Sequence, residues 1–517
     1  MEIRSLHNAH NLFAVLMLGV WPLVCLAVMR MSKRPEAAIA GLFLASVMLL
    51  PCDLIFKLPG LPDSDKLVIS SFWIFVGAWI FHRERFVQGR FRQTMWFPAL
   101  FGLFCAVGTS LMNSDRLVFG PHAITGLNLY DSVHIYLPWL VMELFPFYLG
   151  YTFYRSADDL ETLFRALILA IVLYSPLIWY EKRFAPVLHM EVYGYAQHQF
   201  LQTIRPDGSY RPMVFMAHGL ALSILAAMAV LAAWTLTRAG SFVGRFPWAQ
   251  LDAGRRRFAR AITWTTSWYL SVLLYALKSF GSLVYGVLGS ALIFFAGPRT
   301  QVRVALVVAC IAMAYPLLRA SDLVPVKDIV HFVATEVNPE RAQSLDFRFE
   351  NEEELLAKAR KRIWFGWGYK MRAYVFDPWS GDPMSIRDGR WIILLGDDGV
   401  MRFLLSFGMM VAPVVLAFIR LPWVHGKRER RLYAALALMT AIEVFDMVPN
   451  GGYNYLPYFL AGSLLGVQQG MLGRAKYRSV VPLPEMLAYF AKRRDAQGEE
   501  LPEERAARRP VGARRAR

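Results

Sequence analysis

The feature that most limits what this chain can become is the recurrence of apolar runs about 20 residues long, the length that crosses a hydrocarbon core. They fall near 12–30, 37–56, 67–82, 94–112, 132–154, 163–180, 212–236, 261–278, 281–298, 302–319, 396–419, 432–449 and 454–472. That makes 13, or one more or fewer depending on how 261–298 is divided. With 56% hydrophobic and 18% charged residues, a water-soluble fold would lack the polar surface to cover so many apolar segments. The expected fold is all-α and polytopic: an integral membrane protein of about 12–14 transmembrane helices with one large extracytoplasmic loop.

Orientation follows from Lys and Arg, which accumulate in cytoplasmic connections. Basic residues cluster at Arg30–Arg34, Arg83–Arg92, Arg238–Arg260, Arg299/Arg303 and Lys427–Arg431, and in the tail after Arg474. These are alternate connections, so 59–66, 113–131, 181–211 and 320–395 are expected to face outward, with 155–165 uninformative. Most of the net charge of +17 is then a topology signal and a contact with anionic membrane lipids, not a nucleic-acid footprint. The first run lacks a small-residue cleavage site and reads as an anchor. The four cysteines lie within or at the ends of spans, a placement that suggests neither a disulfide framework nor a metal cluster. The expected organisation is a transmembrane part over 1–319, an outer loop over 320–395, further spans over 396–473, and a disordered cytoplasmic tail over 474–517.

The long polar segment from 341 to 407 breaks the apolar pattern. Asn351 followed by Glu352, Glu353 and Glu354, with Lys358, Arg360, Lys361 and Arg362 at the far end, predicts a helix over about 351–363 with both ends suited to its dipole. Gly366 would end it, and the FGWGY turn, a polar loop and membrane re-entry together look like a catalytic or binding lid.

Ionisable groups near the expected outer face are the candidates for chemistry. Loop 181–211 and the next span start carry His189, His198, Arg205, Arg211 and His218, and the long loop adds Arg348, Arg372, Arg387, Asp388 and Arg390. Lys278, Glu443 and Asp446 sit at span ends, and Glu143 lies mid-span. Each has an ordinary explanation: a loop charge, a core histidine, or a carboxylate paired within the bundle. Their convergence on one side fits an anionic ligand at the outer leaflet, because ionised groups at such depth face a cavity or a partner.

At these residues the chain resembles the O-antigen ligase and O-antigen polymerase family of bacterial polysaccharide membrane proteins. SLDFRFENEEELLAKARKRIWFGWG is similar to the stretch before that family's glycine turn, and SIRDGRWIILLGDDGVMRFLLSFG to its membrane re-entry. RPMVFMAHGLALSIL is similar to its Arg-rich loop entering a span, and LKSFGSLVYGVLG to its Ser-Arg-Gly span start. The likeness covers roughly 200–420. Where the family has His-Asn this chain has Asp388-Gly389, and where it has Ser-Arg-Gly this chain has Ser279-Phe280-Gly281 after Lys278. A diverged member acting on exopolysaccharide suits these departures better than a strict lipopolysaccharide ligase.

The resemblance implies a multi-pass protein of the bacterial inner membrane that takes an undecaprenyl-pyrophosphate-linked oligosaccharide and transfers its glycan to an acceptor hydroxyl. A flippase and a chain-length regulator would be further partners, and no cofactor or metal is implied. Arg205, Arg211, Arg348, Lys278 and Arg387 would bind the pyrophosphate, for which arginine supplies a bidentate fork. Trp367 and Tyr369, with Trp364, Trp379 and Tyr210, would stack on sugars. His218 and Asp388 compete as the base: chemistry favours the histidine, and position in the family motif favours the aspartate. A non-catalytic component of a polysaccharide assembly complex, or a secondary transporter, are the alternatives.

Overall fold

In the computed structural model the described residues are 10–473, except 58, 88–90, 206, 242–252, 337, 452 and 453. The expected tail over 474–517 and part of the basic connection 238–260 lie outside them. The chain is mainly α-helical, and each of the 13 apolar runs falls on a helix. Among the described residues, six segments are long and apolar enough to cross a membrane: Leu12–Met31, Asp131–Phe153, Ala157–Phe184, Gly219–Ala239, Pro298–Ala320 and Gly399–Trp423. Shorter apolar helices occupy Pro35–Leu49, Lys66–Phe81, Met95–Leu111 and Phe280–Phe295. The structure therefore supports a helical membrane protein.

In chain order the helices are α1 Leu12–Met31, α2 Pro35–Leu49, α3 Lys66–Phe81, the short α4 Arg83–Val87 and α5 Phe91–Leu111. A two-stranded antiparallel hairpin, β1 Leu117–Phe119 and β2 His122–Ile124, precedes α6 Asp131–Trp139. One π turn over Leu140–Leu144 joins α6 to α7 Phe145–Phe153. Next come α8 Ala157–Phe184, α9 Leu188–Tyr193, α10 Gly219–Ala239, α11 Ala253–Ala276, α12 Phe280–Phe295 and α13 Pro298–Ala320. The remainder are α14 Val326–Glu336, α15 Pro339–Arg360, α16 Arg390–Asp397, α17 Gly399–Arg420, α18 Lys427–Asp446 and α19 Leu456–Gly473. The interior is centred on α10 and α18, in which Leu222–Leu236 and Leu432–Val444 are buried almost without interruption.

Three sequence expectations need correction. The helix expected over 351–363 begins at Pro339 and ends at Arg360, so Asn351 lies mid-helix and caps nothing. Proline is preorganised for a first helical turn, and Asn338–Pro339 supplies the start signal that Asn351 was expected to give. Asn351 instead donates to the Phe347 carbonyl at 2.8 Å and accepts from the Ile386 amide at 2.8 Å, anchoring the chain opposite. The span expected over 37–56 stops at Leu49, ahead of Pro51. The re-entry expected at 396 begins at Arg390 as a short helix and breaks between Asp397 and Gly399.

That break is locked to the glycine turn at the end of α15. The Trp367 amide donates to the Gly396 carbonyl, Gly368 to Asp397 and Val400 to Ile363, at 2.7–2.8 Å. Gly366 has φ +65°, and a Cβ there would sit 2.5 Å from the Asp397 carbonyl. Gly399 mirrors it, with φ +77° and a Cβ that would sit 2.4 Å from the Trp364 carbonyl. Two backbones meet where side chains cannot fit, and this fixes the long loop against α16 and α17.

Candidate functional site

The site is built from four chain segments. The first is a turn at 203–211, closed by paired backbone between Ile204 and Tyr210 and by the Arg211 amide donating to the Thr203 carbonyl at 2.9 Å. Its base is held from below by Glu181, whose carboxylate accepts from the amides of Met213 and Val214 at 2.8 and 2.7 Å. Arg211 then lies across the start of α10: a Cβ on Gly219 would come within 2.4 Å of its Cδ. Any larger residue at 219 would displace the guanidinium.

The second segment is the α11–α12 corner. Lys278 takes φ +53°, and its ammonium bonds to Ser209 Oγ at 2.7 Å and pairs with Asp207. The hydrogen bond from Lys278 holds the Asp207 carboxyl well below the usual carboxylate range. The third segment is α15 with the strand-like 386–389. Arg348 donates to the Pro449 carbonyl at 3.2 Å and pairs with Asp388 at 3.3 Å, while Arg387 pairs with Asp397 and lies over the Tyr374 ring. The fourth is the end of α18 and the turn after it, where Asp446 accepts from Asn450 Nδ2 at 3.0 Å and the Arg390 amide donates to the Met447 carbonyl at 2.9 Å.

Together they enclose a cavity of about 990 Å³. Its walls hold Arg205, Arg211, Lys278, Arg348 and Arg387, with Asp207, Asp388, Glu443 and Asp446 as the acidic members. The lining also includes the apolar side chains Leu220, Ala221, Ile224, Phe280, Ile393 and Pro457, contributed by α10, α12, α16 and α19. Five cations against four carboxylates leave the wall with a formal excess of positive charge. Three of the cations have carboxylate partners, while the buried Nε of Arg211 has no hydrogen-bond partner.

His218 borders the same space with its chemistry already committed. It is the N-cap of α10, and its Nδ1 accepts the Leu220 amide at 2.9 Å. Burial, followed by the charges of His198, Arg205 and Arg348, pushes its pKa down to about 4. The ring is therefore neutral near pH 7, with the proton on Nε2, and it meets the cavity as a donor. This geometry counts against His218 as the base.

Of the residues singled out in the sequence, His218, Asp388, Arg205, Arg211, Arg348, Lys278 and Arg387 come together here. Trp367 and Tyr369 do not. Trp367 donates through Nε1 to the Lys358 carbonyl at 2.9 Å, with Arg362 stacked 4.2 Å from its ring. Tyr369 donates to Asp131, alongside Lys370 at 2.8 Å. Trp364, Trp379 and Tyr210 are also absent from the cavity lining. Glu143, mid-span, pairs with Arg390 at 2.7 Å inside the bundle, the ordinary explanation of a buried carboxylate.

Sequence reasoning missed Gln202, Asp207, Asn338, Asn450 and Asn454, which also line the cavity. The run PNGGYN between α18 and α19 carried a signal: turn-forming Asn and Gly where a short connection between helices would suffice. Among the described residues no cluster of three His, Cys, Asp or Glu is placed to hold a metal ion. No family model matches the chain, and no curated protein matches it.

Proposed function

We propose that this cavity binds the pyrophosphate of a lipid-linked oligosaccharide and that the protein transfers the glycan to an acceptor hydroxyl, as a polymerase or ligase at the outer face of a bacterial inner membrane. The observation that carries the reading is the cavity's mixed lining, in which arginines and a lysine share one space with apolar side chains. An anion joined to a lipid chain suits both kinds of side chain at once. About 990 Å³ is far more than a small inorganic anion fills and is at the upper end of the range for organic ligands.

Arg211 has a buried Nε with no hydrogen-bond partner, its stem lies against Gly219, and it lines the space from the 203–211 turn. Arg205 flanks it, and both would neutralise charge as it builds on the leaving pyrophosphate. Arg348 and Arg387, which also line the cavity, hold Asp388 and Asp397. Neutral His218 donates through Nε2 to a phosphoryl or sugar oxygen. The test is glycan output, with unconsumed lipid-linked oligosaccharide as the second readout. Arg211→Ala should lower output and accumulate donor, and Arg211→Lys should recover part of it, because the ammonium keeps the charge but loses the fork. Normal output from both variants at equal protein level would leave the non-catalytic assembly component as the better reading.

The outer location has its own test. Ala357 lies on the exposed side of α15. With Cys310, which is also exposed, changed to Ser, an Ala357→Cys variant should react with an impermeant maleimide in intact spheroplasts. Labelling only after permeabilisation would contradict that location.

A further inference from the structure

We infer that Glu443, and not His218 or Asp388, is the general base that takes the proton of the acceptor hydroxyl. The inference rests on the glycan-transfer reading above and adds the residue on which that reaction would depend.

The base must be an acceptor that reaches the cavity and is not already engaged. His218 does not meet this condition, because its acceptor nitrogen is spent on the Leu220 amide. Asp388 is paired with Arg348 and is 41% exposed, so its carboxylate is both neutralised and solvated. Asp207 is tied to Lys278 and Ser209. Asp446 accepts from Asn450. Glu443 differs from all of these. It lines the cavity, it is only 2% exposed, and its Oε1 is buried with no hydrogen-bond partner. An unsatisfied buried oxygen costs free energy unless something supplies a donor, and an acceptor hydroxyl entering the cavity is such a donor. Asp446 lies one turn further along the same helix, so a second carboxylate stands behind the first.

The step balances within these groups. The acceptor oxygen forms a bond to the anomeric carbon of the donor sugar while the bond from that carbon to the pyrophosphate oxygen breaks. The bonding pair leaves with the pyrophosphate, held by Arg205 and Arg211, and the hydroxyl proton passes to Glu443. Asp446 is a positioning residue in this scheme, acting through Glu443.

The experiment uses the full chain in nanodiscs, with undecaprenyl pyrophosphate as the binding probe and a lipid-pyrophosphate-linked oligosaccharide from the producing strain as the transfer substrate. Glu443→Gln keeps shape and polarity while removing the base. It should bind undecaprenyl pyrophosphate within about twofold of wild type and lose transfer by about 100-fold or more, the usual scale for a lost general base. Glu443→Asp should recover part of the rate, and Asp446→Asn should shift the acidic limb of the pH–rate profile with a smaller loss. Wild-type transfer by Glu443→Gln, or loss of probe binding in a variant with an unchanged melting temperature, overturns the base assignment alone. Wild-type protein that neither binds the probe nor transfers glycan overturns the function on which it rests, and the assignment falls with it. If Glu443→Gln does not fold, the decision passes to Glu443→Asp, for which an unchanged rate and pH profile would be the contrary result.

Discussion

At the seam between residues 113–131 and 358–376, Asp115 is gripped by Arg362 at 2.7 Å and by Arg372 at 3.1 Å. Arg372 is fully buried, and every nitrogen of its guanidinium is used: on the carbonyls of Trp367, Asp115 and Thr125, each at 3.0 Å, and on the Asp115 carboxylate. The Lys358 ammonium sits among the rings of Phe119, Trp367 and Phe376. At the cavity the same residue types are assembled with bonds left over: Arg211 Nε and Glu443 Oε1 are both buried and unmatched. The two regions have similar composition and differ in whether their polar groups are satisfied. A saturated cluster holds a fold together, whereas an unsaturated one has capacity for a ligand.

The largest effect that would sharpen this contrast is on stability. Arg372→Ala takes this donor from three carbonyls and leaves the Asp115 carboxylate with Arg362 alone, so it should cost about 3 kcal/mol or more, read as a lowered denaturation midpoint in detergent. Arg211→Ala should behave in the opposite way. Its midpoint should stay near wild type, while affinity for undecaprenyl pyrophosphate falls by about 1.5–3 kcal/mol, or roughly tenfold to a hundredfold. If Arg211→Ala destabilises as much as Arg372→Ala, the division into saturated and unsaturated regions is wrong.

How far the sequence revealed this depended on the kind of interaction. Apolar runs of bilayer length located the 13 helical segments, because hydrophobicity is local and additive along the chain. Seven of the nine site residues converged, because polar side chains forced to one end of a bundle have little choice but to meet. Trp367 and Tyr369 were misplaced for the complementary reason. In sequence, an aromatic beside a cation looks the same whether it faces a sugar or stacks on Arg362. Saturation depends on partners about 250 residues away, such as Asp115 for Arg362 and Arg372, and no local pattern encodes it. Glu443 and Asp446 were visible as a pair on one helix face, but that Glu443 lacks a partner is a property of the assembled cavity.

A subtler break in the comparison comes from backbone. Gly219→Ala adds a methyl that would overlap the Arg211 stem at 2.4 Å, at a helical position where alanine is otherwise favourable. Affinity for the pyrophosphate lipid should drop severalfold, with no loss in melting temperature. The smallest effect concerns His218. Its pKa is lowered from 6.5 to about 4 in the folded protein, so the unfolded chain binds more protons between those values. Stability from this group is therefore complete above about pH 6.5 and declines as the pH falls toward 4. His218→Asn keeps an N-cap acceptor and removes the titration, so its melting temperature should fall less steeply with acid than that of wild type. A matching slope would show that the histidine does not carry the effect.

The central claim, that an unsaturated cavity cation recognises a lipid pyrophosphate and a saturated seam cation does not, comes down to one titration. Undecaprenyl pyrophosphate is added to nanodiscs holding wild type, Arg211→Ala or Lys370→Ala, the last removing a seam cation already paired with Asp131 at 2.8 Å. Wild type should bind saturably and more weakly as salt rises, with a loss of about tenfold or more for Arg211→Ala and a change within about twofold for Lys370→Ala. Equal losses in the two variants, or no difference between Arg211→Ala and wild type, would contradict it.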